Sequence, residues 1–293
     1  MTSPPDEGST LERRLAALEE TVARLSALLE PSLSVSKLAA PIASVALKDS
    51  SQHQFSSKFF ALLDLGESLL KYGAALGLAD AVAAGRMSAE SVALLFRAPP
   101  SLGKLAELLR TQLDDTSSAG WTIDRLREAF RRPARRPTPN ETARYLFEEF
   151  LNVRNTVRGH GSQQPEGYYE GLYLKHHLTV HDCIKACKFI ELPLVSIHAV
   201  DNVDAQHEYR AAMLLGITPE SILLRSPTRV SVGDTCVWDH GSRLLPLIDL
   251  VSFRYCPVCS LEHVFFAEQI TADRIYFHSY TGNHRFDVPR AAH

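Results

Sequence analysis

The sequence lacks an apolar run long enough to span a bilayer, and it lacks a charged start followed by an apolar signal core. We therefore expect a cytoplasmic protein that does not use a membrane as a partner. Its formal net charge is only -3, which argues against bulk coating of nucleic acid but allows a local basic patch. The 5 cysteines are an odd number, which fits a reducing compartment better than a disulfide framework.

Sequence motifs of zinc-dependent hydrolases are also missing. No HExxH or comparable pattern pairs helical metal ligands with a base, which argues against that class of enzyme. At 293 residues the chain exceeds one typical domain. The pattern of elements predicts an α+β chain with four parts: a coiled-coil helix over 1–30, a linker over 31–51, a helical domain over 52–190 and a small β-rich domain over 191–293.

Apolar residues near the start recur at alternating spacings of three and four, and they are Leu11, Leu15, Leu18, Val22, Leu25 and Leu29. This heptad spacing predicts a parallel coiled-coil dimer. A single amphipathic helix packed on its own domain is the alternative. Pro31 ends the helix, and the Ser/Ala-rich run that includes 41–51 predicts a flexible tether.

The most informative stretch is 154–160, which places an arginine and a histidine at the end of a predicted amphipathic helix. On a helical wheel, one stripe carries Phe147, Phe150, Leu151, Arg154 and Arg158. Two guanidinium groups thus extend an apolar face, and burying charge requires a compensating partner. Gly159 and Gly161 break the helix around His160, so its ring can turn back toward Arg154. A second long amphipathic helix is predicted upstream, over 54–76.

An arginine beside a histidine suits attack by an RNA 2′-hydroxyl on its own 3′-phosphate. The histidine titrates near neutral pH and can move the proton, while the planar guanidinium holds the phosphate as negative charge builds. This reaction needs no metal. The residues resemble the HEPN superfamily, whose all-α ribonucleases carry an arginine, usually a polar residue next to it, and a histidine a few residues later. Here the polar residue is Asn155, and 5 residues separate Arg154 from His160.

The resemblance covers only the central helical domain. It implies a metal-independent endoribonuclease of the toxin or antiphage-effector type, which binds RNA and acts as a homodimer or higher homo-oligomer, with a regulatory or antitoxin protein as a further partner. His160 would be the general acid and base, Arg154 the phosphate clamp and Asn155 an orienting residue, while Arg158 would assist substrate binding. No cofactor is implied for catalysis.

Two alternatives remain open for the same residues. Arg154 can pair with a buried carboxylate such as Asp64 or Glu67 while His160 only caps the helix C-terminus. At the level of the whole chain, a non-catalytic HEPN-like bundle can mediate dimerisation while the β domain senses a partner protein or nucleotide.

A basic run precedes the predicted motif helix, and its arginines are Arg131, Arg132, Arg135 and Arg136. Prolines keep this run extended and arginines suit phosphate binding, so it can guide RNA toward the site. A solvated loop without a binding role is the alternative.

The last third contains short β-branched and aromatic segments at 194–200, 222–238, 244–255, 263–270 and 274–281, which predict strands. Among them, Cys256 and Cys259 have the spacing of half a tetrahedral zinc site. The remaining ligands would come from His263, His278, His284, Cys183 or Cys187. A reduced turn without a metal is the alternative, and we favour it because only one cysteine pair lies in the strand region.

Overall fold

The computed structural model describes Leu15, Leu18, Val22 and residues 33–115, 120–131, 141–159, 164–203 and 206–290. Helices precede two antiparallel sheets, so the predicted α+β class is confirmed. The helices are α1 (Ala40–Ser51), α2 (Phe55–Ala83), α3 (Ala89–Leu95), α4 (Leu102–Asp114), α5 (Trp121–Phe130), α6 (Glu141–Arg144), α7 (Leu151–Gly159) and α8 (Glu166–Ala186). A π-helical segment, Tyr145–Phe150, joins α6 to α7.

The long helix α2 lies at the centre of the molecule. It was predicted over 54–76 with one apolar face, but it extends to Ala83 and is buried on nearly every side. The reason is that α1, α4, α5 and α8 all pack around it, so small residues such as Gly73 and Ala75 are enclosed together with the leucines. A helix that is buried all round shows little amphipathic periodicity, and its length was therefore underestimated.

Residues 40–51, which were predicted as part of a tether, instead form the buried helix α1. Pro41 lies in the first turn, where its missing N–H costs nothing, and Ile42 and Val45 face the core. The tether prediction is wrong here because the small alanine and serine side chains allow close packing against α2. Only Leu15, Leu18 and Val22 of the predicted coiled coil are described, and they are helical and exposed. The coiled coil stays a prediction.

Two sheets follow the helices. The first has the strand order β3-β2-β1-β4-β5 and the second the order β6-β7-β8-β9. Their bounds are β1 Leu194–Val203, β2 Gln206–Leu214, β3 Glu220–Ser226, β4 Thr235–Trp238, β5 Leu244–Pro246, β6 Val251–Tyr255, β7 Glu262–Ile270, β8 Arg274–Ser279 and β9 His284–Pro289.

One hydrophobic core continues from the helices into both sheets, and in the second sheet it includes Phe265 of β7 and Phe277 of β8. The first sheet also has a smaller core of its own around Tyr209. Residues that face each other between the helices and the second sheet therefore come from distant parts of the chain. The candidate site lies between these two parts.

Candidate active site

The residues 141–159 form one continuous helical stretch made of α6, the π segment and α7, and we call it the motif helix. Its wider turn carries four buried side chains, among them Phe147 and Phe150. Turns of this kind are frequent at functional sites. Arg154 and Arg158 lie beyond this apolar stretch and reach carboxylates of α2, so the predicted stripe is confirmed.

The motif helix approaches α2 very closely at Gly66. A Cβ at this position would stand 2.4 Å from Cζ of Phe150 and 2.5 Å from its Cε2. Glycine is therefore required for the ring of Phe150 to lie against the backbone of α2. The close approach brings Arg154, one turn later on the motif helix, to Glu67, the next residue of α2.

Glu67 is the centre of the site and is only 3% exposed. Its Oε1 accepts a hydrogen bond from Nε of Arg154 at 2.9 Å and lies 3.1 Å from Nε of Arg158. The hydroxyl of Tyr280 donates to Oε2 at 2.8 Å. Burial raises the pKa of Glu67, but the charges and hydrogen bonds of Arg158, Arg154 and Tyr280 lower it below its usual value. Glu67 is therefore ionised, and it fixes the direction of both guanidinium groups.

Asp64 extends the same arrangement one turn earlier on α2. Its carboxylate lies 2.5 Å from Nη2 of Arg158 and 2.8 Å from Nζ of Lys48 on α1. Lys48 also donates to the backbone oxygen of Tyr280 at 3.2 Å. Burial lowers the pKa of Arg158, but Glu67 and Asp64 raise it above its usual value, so this arginine stays charged.

Lys71 of α2 and residues of the second sheet contribute the remaining charges. Nζ of Lys71 lies 4.9 Å from the ring centroid of Tyr280 and 3.9 Å from Oε1 of Glu268. Glu268 also lies 3.3 Å from His278 and 3.1 Å from Arg285. Burial raises the pKa of Glu268, but these three partners lower it to about 2. We call the whole set the Glu67 network, and its members are Lys48, Asp64, Glu67, Lys71, Arg154, Arg158, Glu268, His278, Tyr280 and Arg285.

Arg154 remains partly open to solvent, with 28% of its side chain exposed. Its Nη1 donates to Oδ1 of Asn155 at 3.1 Å, so Asn155 orients the guanidinium. Among the described residues, Nη2 of Arg154 has no hydrogen-bond partner. The pairing with Glu67 that the sequence left open is thus observed, and it uses the inner Nε while leaving the outer edge accessible. His160 lies outside the described residues.

Of the basic run, only Arg131 is described, and it forms an ion pair with Asp114 at the end of α4. Its guanidinium is therefore already engaged within the fold. Arg132, Arg135 and Arg136 lie outside the described residues, so their role in RNA binding stays a prediction.

A second buried cluster was not identified from the sequence. Asp49 of α1 and His177 and His181 of α8 place one potential metal-ligating atom each within 4.8 Å of one another. Nε2 of His181 lies 3.2 Å from Oδ2 of Asp49, so the two groups form a direct contact without an ion. The signal in the sequence was the i, i+4 spacing of the two histidines, which places them on one helix face. The cluster connects α1 to α8.

The cysteine pair of the second sheet has histidine neighbours. Cys256, Cys259 and His284 place their ligand atoms within 4.8 Å of one another. His263 lies beside Cys259. The other proposed ligands lie elsewhere: His278 belongs to the Glu67 network, and Cys183 and Cys187 are buried at the end of α8.

Comparison with known proteins adds no family to these observations. A scan against models of protein families and searches of characterised proteins and of solved structures found no match for this chain. Within the described part of the chain, none of the helices combines the length and the apolar character that crossing a membrane requires.

Proposed function

We propose that this protein is a metal-independent endoribonuclease of the toxin or antiphage-effector type. The observation that carries the proposal is the anchoring of Arg154. Its guanidinium is held by the buried Glu67 through Nε, is steadied by Asn155 through Nη1, and presents its outer edge toward solvent. A preorganised cation of this kind stabilises a phosphate as charge develops, because no reorganisation is needed during the reaction.

The charge of the Glu67 network supports an anionic substrate. Five cationic side chains, those of Lys48, Lys71, Arg154, Arg158 and Arg285, surround three carboxylates, so the network carries two positive charges when His278 is neutral. Buried charge normally comes in matched pairs because an uncompensated ion is costly to desolvate. The side chain of Arg285 is 68% exposed and is therefore solvated, so the partly buried remainder of the network carries an excess of one positive charge. This excess favours an anion at the exposed edge of Arg154, and a phosphodiester fits that requirement.

In the proposed reaction, the 2′-oxygen of RNA forms a bond to its own 3′-phosphorus and the bond to the 5′-oxygen of the next nucleotide breaks. His160 accepts the proton of the 2′-hydroxyl, and Arg154 binds the phosphate oxygens. The leaving 5′-oxygen takes a proton from a second acid. The HEPN resemblance implies that a second copy of the motif, across a dimer interface, supplies it. The products are a 2′,3′-cyclic phosphate and a 5′-hydroxyl.

The test measures cleavage of an RNA oligonucleotide by the full-length protein in excess EDTA, with end-group analysis of the products. His160→Ala should lower the rate by about 10²–10⁴-fold while the thermal melt is unchanged. His198→Ala is the matched control, because His198 is an exposed histidine on β1 and should leave the rate unchanged. A substrate with 2′-deoxyribose at the cleaved position should resist cleavage, since its nucleophile is missing.

Two results would overturn the proposal: full activity in His160→Ala, or cleavage that appears only with added magnesium or manganese. Arg154→Lys separates the clamp from the fold. Lysine keeps the charge near Glu67 but lacks the fork that reaches a carboxylate and a phosphate together. It should therefore reduce cleavage strongly with little change in melting temperature.

The second candidate function is a non-catalytic interaction protein, in which the helical part mediates dimerisation and the β part binds a partner protein or nucleotide. The observation that favours it is that both arginines already have carboxylate partners. In that case the wild-type protein cleaves no RNA. Arg154→Lys then lowers the melting temperature and also weakens dimerisation.

A further inference from the structure

Four side chains of types that can bind a metal lie at one end of the second sheet. Cys256, Cys259 and His284 place their ligand atoms within 4.8 Å of one another, and His263 contacts Cys259. Cys256 follows the last residue of β6, Cys259 lies in the β6–β7 turn, His263 is the second residue of β7, and His284 is the first residue of β9. Sγ of Cys256 lies 3.4 Å from Nδ1 of His284. Sγ of Cys259 lies 3.0 Å from Nε2 of His263. Both cysteines are unbridged thiols.

The backbone holds these groups in a compact turn. The amide of Ser260 donates to the oxygen of Cys256 at 2.9 Å, and the amide of Cys256 donates to the oxygen of Leu261 at 2.7 Å. On the opposite side, a Cβ at Gly282 would stand 2.8 Å from Nδ1 of His284. Glycine at this position gives the imidazole room to fold back toward Cys256, which is fully buried.

We propose that Cys256, Cys259, His263 and His284 bind one structural zinc ion. In a tetrahedral site with Zn–S of about 2.3 Å and Zn–N of about 2.0 Å, a sulfur and a nitrogen ligand lie roughly 3.5 Å apart. The Cys256–His284 distance of 3.4 Å is already close to this value, and the Cys259–His263 distance of 3.0 Å needs to open by about half an ångström. Two thiolates and two imidazoles form a closed ligand set, which is typical of structural rather than catalytic zinc.

The position of His284 gives the metal a structural task. His284 ends the turn that follows β8, and the same turn carries Tyr280, whose hydroxyl donates to Glu67. Asn283 in this turn also contacts His278 at 3.0 Å. Zinc would therefore tie the turn to the β6–β7 loop and hold Tyr280 against Glu67. The metal acts on the fold, and it takes no part in the proposed cleavage reaction.

The experiment measures zinc by elemental analysis in the full-length protein, purified from zinc-supplemented cells without chelator. We expect about one zinc per chain, near-complete loss in Cys259→Ser and His284→Ala, and full retention in His198→Ala, a matched histidine outside the cluster. Zinc content does not depend on RNA cleavage, so this proposal and the proposed function can fail separately.

Cobalt(II) exchange of the wild-type protein provides a second measurement should the ligand variants not fold. A tetrahedral site with two thiolates gives an intense visible d–d band and a near-ultraviolet thiolate-to-cobalt charge-transfer band, and we expect both. Less than one zinc per several wild-type chains overturns the proposal. Zinc content that is unchanged in Cys259→Ser also overturns it, as does a cobalt spectrum without thiolate charge transfer.

Discussion

Replacing Gly66 by alanine is the most direct test of how the motif helix is positioned. Alanine is normally the better helix former, by about 0.5–1 kcal/mol in a helix interior. Here its Cβ would lie 2.4 Å from Cζ of Phe150, a residue with almost no room to move because it is buried between α2 and the motif helix. Overpacking of this kind typically costs about 1–3 kcal/mol, which outweighs the helix gain. We therefore expect a net loss of about 1–2 kcal/mol.

The measurement is the free energy of unfolding from chemical denaturation, compared with Gly171→Ala. Gly171 lies within α8 and has open space around its Cα among the described residues, so alanine there should stabilise the protein. The double variant Gly66→Ala with Phe150→Leu should be less destabilised than the two single effects added together, because the smaller side chain relieves the clash. Gly66→Ala and Gly171→Ala with effects of the same sign would refute the close approach.

Two further predictions concern the charge network and the N-terminal segment. The pKa of Glu268 is lowered from 4.5 to about 2, so the unfolded chain binds a proton first and stability is lost as the pH falls through this window. In Glu268→Gln the melting temperature should fall less steeply at acid pH than in the wild-type protein. An equally steep fall would contradict the lowered pKa of Glu268. Removing residues 1–30 should reduce the number of chains per particle, measured by light scattering, without loss of the helical signal of the bundle. Wild-type protein that is monomeric at micromolar concentration contradicts the coiled coil.

Local sequence patterns identified helices and strands that bury only one of their faces. The motif stripe and the strands at 194–200 and 263–270 were predicted because their periodicities are strong. Strand β2 was missed, since its Ala211, Ala212 and Met213 are typical of helices and only pairing with β1 and β3 makes the segment extended. The helix α1 was missed because small residues mark both tethers and close helix contacts.

At the candidate site, too, sequence patterns identified the residues of one segment but not their partners from distant parts of the chain. Sequence could propose Arg154, Asn155 and His160, because they lie within one short motif. It named Glu67 only as one possible partner and gave no reason to choose Tyr280, which lies 213 residues from Glu67 along the chain. The proposed zinc ligands behave alike: the cysteine pair was visible as a motif, but His284 lies 28 residues from Cys256 on the other edge strand of the sheet, and only the three-dimensional fold brings the two together.

The charged Glu67 network between α2, the motif helix and the second sheet requires an explanation other than stability. A buried ion pair gains attraction but loses hydration, and well-packed apolar side chains of similar volume are often equally or more stabilising. Glu67 lies among the mostly apolar buried residues of α2, and Arg154 continues a stripe of buried phenylalanines. What apolar residues cannot provide is a guanidinium with a fixed direction. Because Glu67 binds the inner edge of Arg154 and not its outer edge, the arrangement favours binding of an anion from outside the fold by Arg154.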